Sequence, residues 1–301
     1  MVKISRNVSL KDLTSWLVGG EVDYFCLPKT IDEIKECLRF SKEKSIPYFI
    51  LGGGSNVLIS DEKINALCIC LKDFNGKLVE ENNSEIKVIC ESGVSKSDLL
   101  KVFLKSKSAA AMMMAGIPGD VGGGVVMNAG VAENFQPREF YELVQSIKVL
   151  KEDLSIQEYY CEDLTWSYRH SEGWKPGIIV EVVLKTSKND LPDIMEKVRQ
   201  ANKIRLSKQP LDKPSCGSVF RNPEGYKAAQ LIDQNGLKGL TFGQAQVSTK
   251  HANFIVNLGQ AKAIDIDQLI KHVQKVIKEK TQVELQTEVV RIGNFGNPSD
   301  R

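Results

Sequence analysis

The chain has 301 residues, a length that favours two or three domains with ample core. Its 40 basic and 38 acidic side chains nearly balance and form no dense basic stripe, so we expect no nucleic-acid partner. Seven cysteines, an odd number without a C-x-x-C pair, favour free thiols in a reducing compartment. With neither a signal-peptide core nor an apolar run of 18 residues, the sequence predicts a cytoplasmic protein without a membrane partner.

Residues 1–72 carry the pattern of a β-α-β unit. A strand is predicted at Tyr24–Leu27, and the capping box Thr30–Glu33 begins a helix with one apolar face. A second strand, Ile46–Leu51, leads directly into Gly52-Gly-Gly-Ser-Asn56. Because a glycine loop after a strand is where α/β folds present backbone amides to a diphosphate, this loop is a candidate cofactor site.

Residues 73–187 are richer in predicted strands. Strands are expected at 86–90, 146–151, 155–161 and 178–184, and a short helix at 97–104. The stretch Ala115–Gly130 holds six of the chain's 23 glycines, and we expect Val125–Met127 to continue it as a strand or buried segment. Neither glycine cluster matches a G-x-G-x-x-G fingerprint or a P-loop, so the pair suggests a large diphosphate cofactor bound in another way. The alternative is a glycine-rich turn between core elements.

Residues 188–301 predict a third, α+β subdomain. A polar linker leads into a helix that we expect to direct Leu191, Ile194, Met195 and Val198 inward, and two prolines exclude Ser207–Gly217 from any helix. Further predicted elements are a helix at Tyr226–Gln234 capped by Gly236, a helix at Asp265–Glu279 with one apolar face, and strands at 254–258 and 287–292.

Three segments gather reactive groups. Arg169, in Ser167-Tyr-Arg-His170, offers a forked donor for a carboxylate or phosphate, although an exposed arginine near a turn gives the same pattern. Ser218, in Cys216-Gly-Ser-Val-Phe-Arg-Asn-Pro223, suits proton donation better than nucleophilic attack because no hydrolase elbow surrounds it. The alternative is a serine that caps the following helix.

The third segment is Thr287–Gly293. Odd spacing places Glu288 and Arg291 on opposite faces of a strand, which allows Glu288 to face a cleft while Arg291 faces elsewhere. A surface strand with ion pairs is the alternative. We expect no metal site, because no group of His, Cys, Asp and Glu has ligand spacing.

Seven motifs occur in order along the chain: Gly52-Gly-Gly-Ser-Asn56, Gly116-Ile-Pro-Gly with Asn128-Ala-Gly130, Tyr168-Arg-His-Ser171, Lys208-Gln-Pro210, Gly217-Ser-Val-Phe-Arg-Asn-Pro223, Lys250-His-Ala-Asn-Phe254 and Glu288-Val-x-Arg-Ile-Gly293. From about residue 7 to 295, this series resembles the UDP-N-acetylenolpyruvoylglucosamine reductase family. Only about 50 residues separate Arg169 from Ser218, so the chain is similar to the compact subclass that lacks a substrate-covering tyrosine loop.

The resemblance implies an α+β protein with a vanillyl-alcohol-oxidase-type (PCMH-type) FAD-binding fold. Two FAD-binding subdomains, 1–72 and 73–187, would precede a substrate-binding domain, 188–301. The implied catalytic residues are Arg169, Ser218 and Glu288. The implied cofactor contacts are Gly52, Gly53, Gly54, Ser55, Asn56, Gly116, Ile117, Pro118, Gly119, Gly122, Gly123, Asn128, Ala129 and Gly130, and the implied substrate contacts are Tyr168, Lys208, Asn222 and His251.

The activity implied by the resemblance is an NADPH-dependent reduction carried out with FAD. The substrate would be UDP-N-acetylglucosamine-enolpyruvate and the product UDP-N-acetylmuramate, used in peptidoglycan synthesis, and we expect a monomer. Two other classes stay open at this point. One is an FAD oxidoreductase of the same fold acting on another substrate, and the other is a non-catalytic protein that binds a sugar nucleotide.

Overall fold

The computed structural model describes residues 2–131, 138–189 and 191–296. The chain divides into two compact units. Unit 1 comprises Met1–Ser5, Phe25–Gly53 and Leu67–Lys203, and unit 2 comprises Arg6–Tyr24, Gly54–Ala66 and Ile204–Arg301. The division into subdomains 1–72, 73–187 and 188–301 stays a prediction.

The described residues contain sixteen strands and seven α-helices. The strands are β1 (Ile4–Ser9), β2 (Glu21–Cys26), β3 (Tyr48–Leu51), β4 (Val57–Ile59), β5 (Ile64–Cys70), β6 (Lys77–Glu81), β7 (Glu85–Glu91), β8 (Val144–Leu150), β9 (Ile156–Tyr160), β10 (Thr165–Ser167), β11 (His170–Glu172), β12 (Ile178–Ser187), β13 (Thr241–Phe242), β14 (Ala245–Val247), β15 (Ile255–Asn257) and β16 (Val290–Ile292). The helices are α1 (Ile31–Lys44), α2 (Lys96–Lys105), α3 (Ala110–Gly116), α4 (Val121–Val126), α5 (Ile194–Lys208), α6 (Ala228–Gln234) and α7 (Ala263–Thr281).

Unit 1 contains an antiparallel five-stranded sheet in the order β6-β7-β12-β8-β9. Side chains of β7 alternate between buried and half-buried positions, because successive residues of a strand point to opposite faces. The apolar residues of β7 share one core with Leu99 and Phe103 of α2 and with Val121 and Val125 of α4. The predicted hairpin of β8 and β9 is confirmed.

The predicted helix and strand that precede the first glycine loop are also confirmed. Thr30 caps α1 by accepting a hydrogen bond from the Glu33 amide at 3.2 Å. β3 pairs in parallel with β5, where Tyr48 lies opposite Leu67. β3 ends at Leu51, so the chain enters Gly52 directly from a paired strand.

Unit 2 is built on the amphipathic helix α7. Its apolar face is buried at Ile266, Leu269, Ile270 and Val273, as the sequence predicts. The three-stranded sheet β13-β14-β15 and the parallel pair β4 and β16 supply other parts of this unit. α6 ends at Gln234, and Gly236, two residues later, has a φ of +72° that provides the predicted left-handed cap.

The sequence predicts a strand or a buried segment over Val125–Met127. Val125 is fully buried, but it lies with Val126 in α4 rather than in a strand, because Asp120 caps this helix by accepting from the Gly123 amide at 2.7 Å. Two other local predictions are wrong. Met195 is 50% exposed rather than directed inward. Residues 207 and 208 are helical, since α5 ends before Pro210 can interrupt it. Across the described residues, no helix combines the length and apolar character that a bilayer span requires.

Candidate active site

Gly53 of the first glycine segment and Gly119 of the second lie side by side in unit 1. A β-carbon built on Gly53 would lie 2.8 Å from the Cα atom of Gly119, closer than real side chains come. Only glycine therefore permits this approach of the two backbones. Gly53, Pro118 and Gly123 are all exposed, so the paired segments present a backbone surface free of bulky side chains.

Some amides of these segments already have protein acceptors. Asp120 accepts hydrogen bonds from the amides of Gly53 at 2.5 Å and Gly123 at 2.7 Å, and the Gly122 amide donates to the Ser92 carbonyl at 2.8 Å. These three glycines would shape a diphosphate site rather than donate to it with those amides. Because the backbones of the two glycine segments approach closely without bulky side chains, they fit the diphosphate of a dinucleotide.

The rest of the first glycine loop belongs to unit 2. Gly54 is buried against the backbone at Leu13, and its carbonyl accepts from the Ser15 amide at 3.0 Å. Asn56 donates from its side chain to the Glu288 carbonyl at 3.0 Å, and its own carbonyl accepts from the Val290 amide at 3.0 Å. Asn56 thus anchors the segment that carries Glu288.

Arg169 lies in unit 1 on a tight hairpin turn. β10 and β11 pair so that Ser167 lies opposite His170, which leaves Tyr168 and Arg169 as the two turn residues. Arg169 has a φ of +59°, and its guanidinium lies 4.8 Å from the Tyr168 ring centroid. Its Nη2 atom donates to the Gly130 carbonyl at 3.1 Å. The guanidinium is therefore held in place by a backbone acceptor and an aromatic face.

Asn128 connects the second glycine segment to this turn. The side chain is fully buried, and its Nδ2 atom donates to the Ser167 carbonyl at 3.1 Å and to Glu139 Oε2 at 3.0 Å. Its Oδ1 atom accepts from the Tyr141 amide at 3.2 Å. Asn128, expected as a cofactor contact, thus uses both polar ends of its side chain within unit 1.

Ser218 and Glu288 belong to two paired backbone segments of unit 2. The Glu288 amide donates to the Val219 carbonyl at 2.8 Å, and Phe220 forms an antiparallel bridge with Thr287. Ser218 is therefore one residue from the partner of Glu288, and both side chains are half-buried. The structure brings these two residues together although 70 positions of sequence separate them.

The pKa of Cys216 also indicates that Glu288 lies near the segment of Ser218. Complete burial raises the pKa of the Cys216 thiol well above its usual value, and the charge of Glu288 raises that pKa further. Cys216 is two residues before Ser218. The Glu288 carboxylate therefore acts on the segment that carries Ser218.

Asn253 is a supporting residue that sequence reasoning missed. It is 5% exposed, and its side chain accepts from the Phe220 amide at 2.9 Å and donates to the Phe220 carbonyl at 2.8 Å. Its own carbonyl accepts from the Val219 amide at 2.8 Å. Asn253 thus fixes the backbone next to Ser218. Its position in the Lys250–Phe254 motif could have indicated importance. Its hydrogen-bond partners, however, are distant in sequence and could not be predicted from local pattern.

The expected substrate contacts of unit 2 have varied surroundings. Lys208 is exposed at the end of α5. Asn222 is also exposed, and its Oδ1 atom accepts from the Ala228 amide at 3.0 Å, at the start of α6. His251 is half-buried with its ring 4.8 Å from the Phe254 ring, and burial lowers its pKa. In the part of the chain described, no group of three or more His, Cys, Asp and Glu is arranged to hold a metal.

Two family models match the chain. The model described as an FAD binding domain matches residues 22–158, and the model described as the C-terminal domain of UDP-N-acetylenolpyruvoylglucosamine reductase matches residues 209–292.

Complete relatives extend this similarity. The chain is 40% identical over 292 residues to UDP-N-acetylenolpyruvoylglucosamine reductase of Clostridium novyi (strain NT), which covers 97% of this chain and 92% of the relative. It is 36% identical to the enzyme of the same name from Prochlorococcus marinus (strain NATL2A), covering 97% and 99%. The crystal structure of UDP-N-acetylenolpyruvylglucosamine reductase from Thermus caldophilus superimposes with a TM-score of 0.78 at 30% identity, covering 97% of this chain and all of that one.

The fold and the matched regions define an FAD-dependent oxidoreductase with a vanillyl-alcohol-oxidase-type α+β fold. The predicted fold class is confirmed. More narrowly, the chain belongs to the UDP-N-acetylenolpyruvoylglucosamine reductase family.

Proposed function

We propose that this enzyme reduces the enolpyruvyl group of UDP-N-acetylglucosamine-enolpyruvate to a lactyl ether, giving UDP-N-acetylmuramate for peptidoglycan synthesis. NADPH is the electron donor and FAD the cofactor. Support comes from full-length similarity to reductases of that name. The structural observation behind the residue roles is the pairing of the Ser218 and Glu288 segments.

The glycine segments Gly52–Asn56 and Gly116–Gly123, with the backbone of Asn128–Gly130, would hold the FAD diphosphate. When bound, FAD supplies the two-electron step that carries hydride from NADPH to the substrate alkene. The protein contributes a close backbone surface at Gly53 and Gly119, where no side chain intervenes. In this proposal, residues 1–187 bind the cofactor and residues 188–301 bind the substrate.

Arg169 would stabilise negative charge on the substrate carboxylate. Hydride addition at the terminal alkene carbon pushes electrons into that group and forms an enediolate. The guanidinium is preorganised by the Gly130 carbonyl and the Tyr168 ring. Removing a preorganised donor from such a site costs about 10²–10³ in turnover.

Ser218 would donate a proton to the carbon adjacent to the carboxylate. The carbanion-like carbon is strongly basic, so a weak acid such as a hydroxyl suffices. Glu288 would donate or accept a hydrogen bond at the same group. The reaction balances because the substrate gains one hydride and one proton while NADPH is oxidised to NADP⁺.

Four further residues would contact the substrate: Tyr168, Lys208, Asn222 and His251. Lys208 can pair with the diphosphate of the sugar nucleotide, since its ammonium is exposed. The Asn222 oxygen is engaged with Ala228, so its amide nitrogen is the donor it can offer. His251, whose pKa is lowered by burial, would act as a neutral hydrogen-bonding group.

The test is Ser218→Ala, with Ser215→Ala as a matched control on the same segment. We expect NADPH to bleach the flavin absorbance of Ser218→Ala as fast as in the wild type. Steady-state NADPH oxidation with UDP-N-acetylglucosamine-enolpyruvate should fall about 10²–10⁴-fold, while Ser215→Ala keeps its activity. Wild-type turnover in Ser218→Ala would refute the role given to Ser218. A purified wild-type protein without bound flavin would refute the proposed function itself.

We also propose a cytoplasmic location and a monomeric state. Seven cysteines are free thiols, six of them buried, which suits a reducing compartment. Sedimentation of the purified protein tests the oligomeric state, and fractionation of the host cell tests the location.

A further inference from the structure

A lysine is buried beneath the second glycine segment. Lys96, in the first turn of α2, is only 3% exposed, and its Nζ atom donates to the Pro118 carbonyl at 2.9 Å. The Nζ atom lies 5.7 Å from the Phe140 ring centroid, and the Lys96 amide donates to the Gly119 carbonyl at 3.0 Å. Lysine is almost never buried without a compensating charge. The buried Lys96 ammonium therefore calls for an opposite charge nearby.

The opposite charge on the same loop is Asp120, two residues after the Pro118 carbonyl that Lys96 contacts. Asp120 is 6% exposed, and its two oxygens accept from the amides of Gly53 and Gly123. Its charge raises the pKa of Lys96, while burial has the larger, opposite effect and brings that pKa to about 8. Burial raises the pKa of Asp120, and Lys96 opposes this rise. Each charge thus favours the ionised form of the other.

Space is reserved for the lysine by a glycine. A β-carbon on Gly124 would lie 3.0 Å from Lys96 Cε and 2.7 Å from Phe140 Cε2. The buried stem of Lys96, the Phe140 ring and Gly124 therefore fit together only without a side chain at position 124.

We propose that Lys96 and Asp120 are positioning residues for the FAD diphosphate: Asp120 fastens the two glycine segments to each other, and Lys96 cancels the negative charge that Asp120 brings. This inference rests on the proposed function, which places the diphosphate at these segments. A carboxylate can accept hydrogen bonds from two backbone amides at once, but its charge repels a diphosphate nearby. A buried ammonium on the same loop removes that repulsion and holds the loop through Pro118.

Charge cancellation and simple structural support by Lys96 predict different rates of FAD release when both charges are removed. We measure the effect of Lys96→Met, which keeps the length of the stem but loses the charge, in the wild type and in Asp120→Asn. The second comparison uses the double variant Lys96→Met/Asp120→Asn, which loses both charges. Lys101→Met is the control, because Lys101 is an exposed lysine on the same helix, with its Nζ atom 2.9 Å from Asp98. Release of FAD from each holoenzyme on dilution is followed by flavin fluorescence, and circular dichroism verifies the fold.

We expect Lys96→Met to release FAD at least tenfold faster than the wild type, or to purify folded but without FAD. Asp120→Asn itself should release FAD faster, because it loses one of the two acceptors that hold the glycine segments. Adding Lys96→Met to Asp120→Asn should change the rate of release by less than about threefold, and Lys101→Met should match the wild type. The proposal would be overturned if Lys96→Met released FAD at the wild-type rate, or if Lys96→Met had as large an effect in Asp120→Asn as in the wild type. A wild-type protein that binds no FAD would instead refute the proposed function, so the two failures are distinguishable.

Alkaline pH supplies a second readout. Asp120 is the charged group that acts on Lys96, and the Pro118 carbonyl, the Phe140 ring and Gly124 also lie against its side chain. Loss of the Lys96 proton leaves Asp120 unbalanced, so FAD release by the wild type should accelerate between pH 7 and 9.5. The double variant, which has neither charge, should lack this dependence. An equal pH dependence in both proteins would contradict the role given to Lys96.

Discussion

The side chain of Asn128 donates a hydrogen bond to the carbonyl of Ser167 at 3.1 Å, across 39 positions of sequence. Ser167 closes the hairpin turn that contains Arg169, while Asn128 ends the second glycine segment. The proposed cofactor loop and the proposed catalytic arginine are therefore supported by one buried amide. A change at Asn128 should affect the position of Arg169 more than the binding of FAD.

Asn128→Ala tests this coupling. The substitution removes three hydrogen bonds of a fully buried side chain, to Ser167, Glu139 and Tyr141, which should destabilise the protein by about 1–3 kcal/mol. We expect bound FAD and its reduction by NADPH to persist, while reoxidation by the enolpyruvyl substrate slows at least tenfold. Stopped-flow absorbance separates the two half-reactions. Asn75→Ala is the control, since Asn75 also donates to a backbone carbonyl but lies at an exposed site. Loss of FAD without loss of Arg169 function would instead identify Asn128 as a direct cofactor contact.

A second prediction concerns a buried ion pair in unit 2. Asp267 is fully buried in α7, its Oδ1 atom accepts from Arg291 Nε at 2.6 Å, and Lys271 Nζ lies 2.7 Å from Oδ2. The Lys271 contact is an ion pair without good hydrogen-bond alignment. Asp267→Asn leaves the half-buried Arg291 without its counter-charge, so we expect the free energy of unfolding to fall by about 3–5 kcal/mol.

Urea denaturation measures that loss. The control is Glu279→Gln, because Glu279 pairs with Lys275 only on the exposed surface of the same helix. We expect this control to change stability by less than about 1 kcal/mol. Equal effects of the two substitutions would show that the Asp267–Arg291 pair contributes no more than a surface contact.

The third prediction uses the pH dependence of stability. Burial lowers the pKa of His251 in the folded state, and the charge of Lys238 lowers it further. Below the unfolded value of about 6.5, the unfolded chain binds this proton more readily than the folded one. His251 should therefore cost stability as the pH falls through that value, until the folded pKa is reached.

Unfolding free energies of the wild type and His251→Gln, measured between pH 7.5 and 5.5, isolate this effect. We expect the wild type to lose more stability over this range than the variant. His272→Gln, a histidine substitution in α7, serves as control. Parallel pH profiles for the wild type and His251→Gln would contradict a half-buried His251 with a lowered pKa.

Local patterns predicted the elements whose signals are local. The capping box at Thr30 identified the start of α1, and the apolar spacing of α7 identified its buried face, because both depend on neighbours within four residues. The motif series selected Ser218 and Glu288 as candidate catalytic residues, and their roles stay predictions. Their mutual position could not be predicted from periodicity, since it depends on backbone pairing over a long separation in sequence.

The burial of charged residues could not be predicted from the sequence. Lys96, Asp120 and Asp267 have unremarkable sequence neighbours, and charged residues are normally expected at the surface. Arg291, expected to face away from Glu288, pairs with Asp267 in a distant helix. Each of these burials depends on a partner that only tertiary structure supplies, so no local rule identifies them.

The final prediction tests the glycine segments directly through Gly53→Ala. The new methyl group would meet the Cα atom of Gly119 at 2.8 Å and force the two backbones apart. Because Gly53 lies at an exposed site, we expect the protein to fold but to retain less than about a tenth of the wild-type FAD, measured by the ratio of flavin to protein absorbance. Gly236→Ala is the matched control: its β-carbon meets no atom within 4 Å, and its φ of +72° costs about 1 kcal/mol of stability without touching the cofactor segments. Full FAD occupancy in Gly53→Ala would mean that the diphosphate lies away from the approach of Gly53 to Gly119.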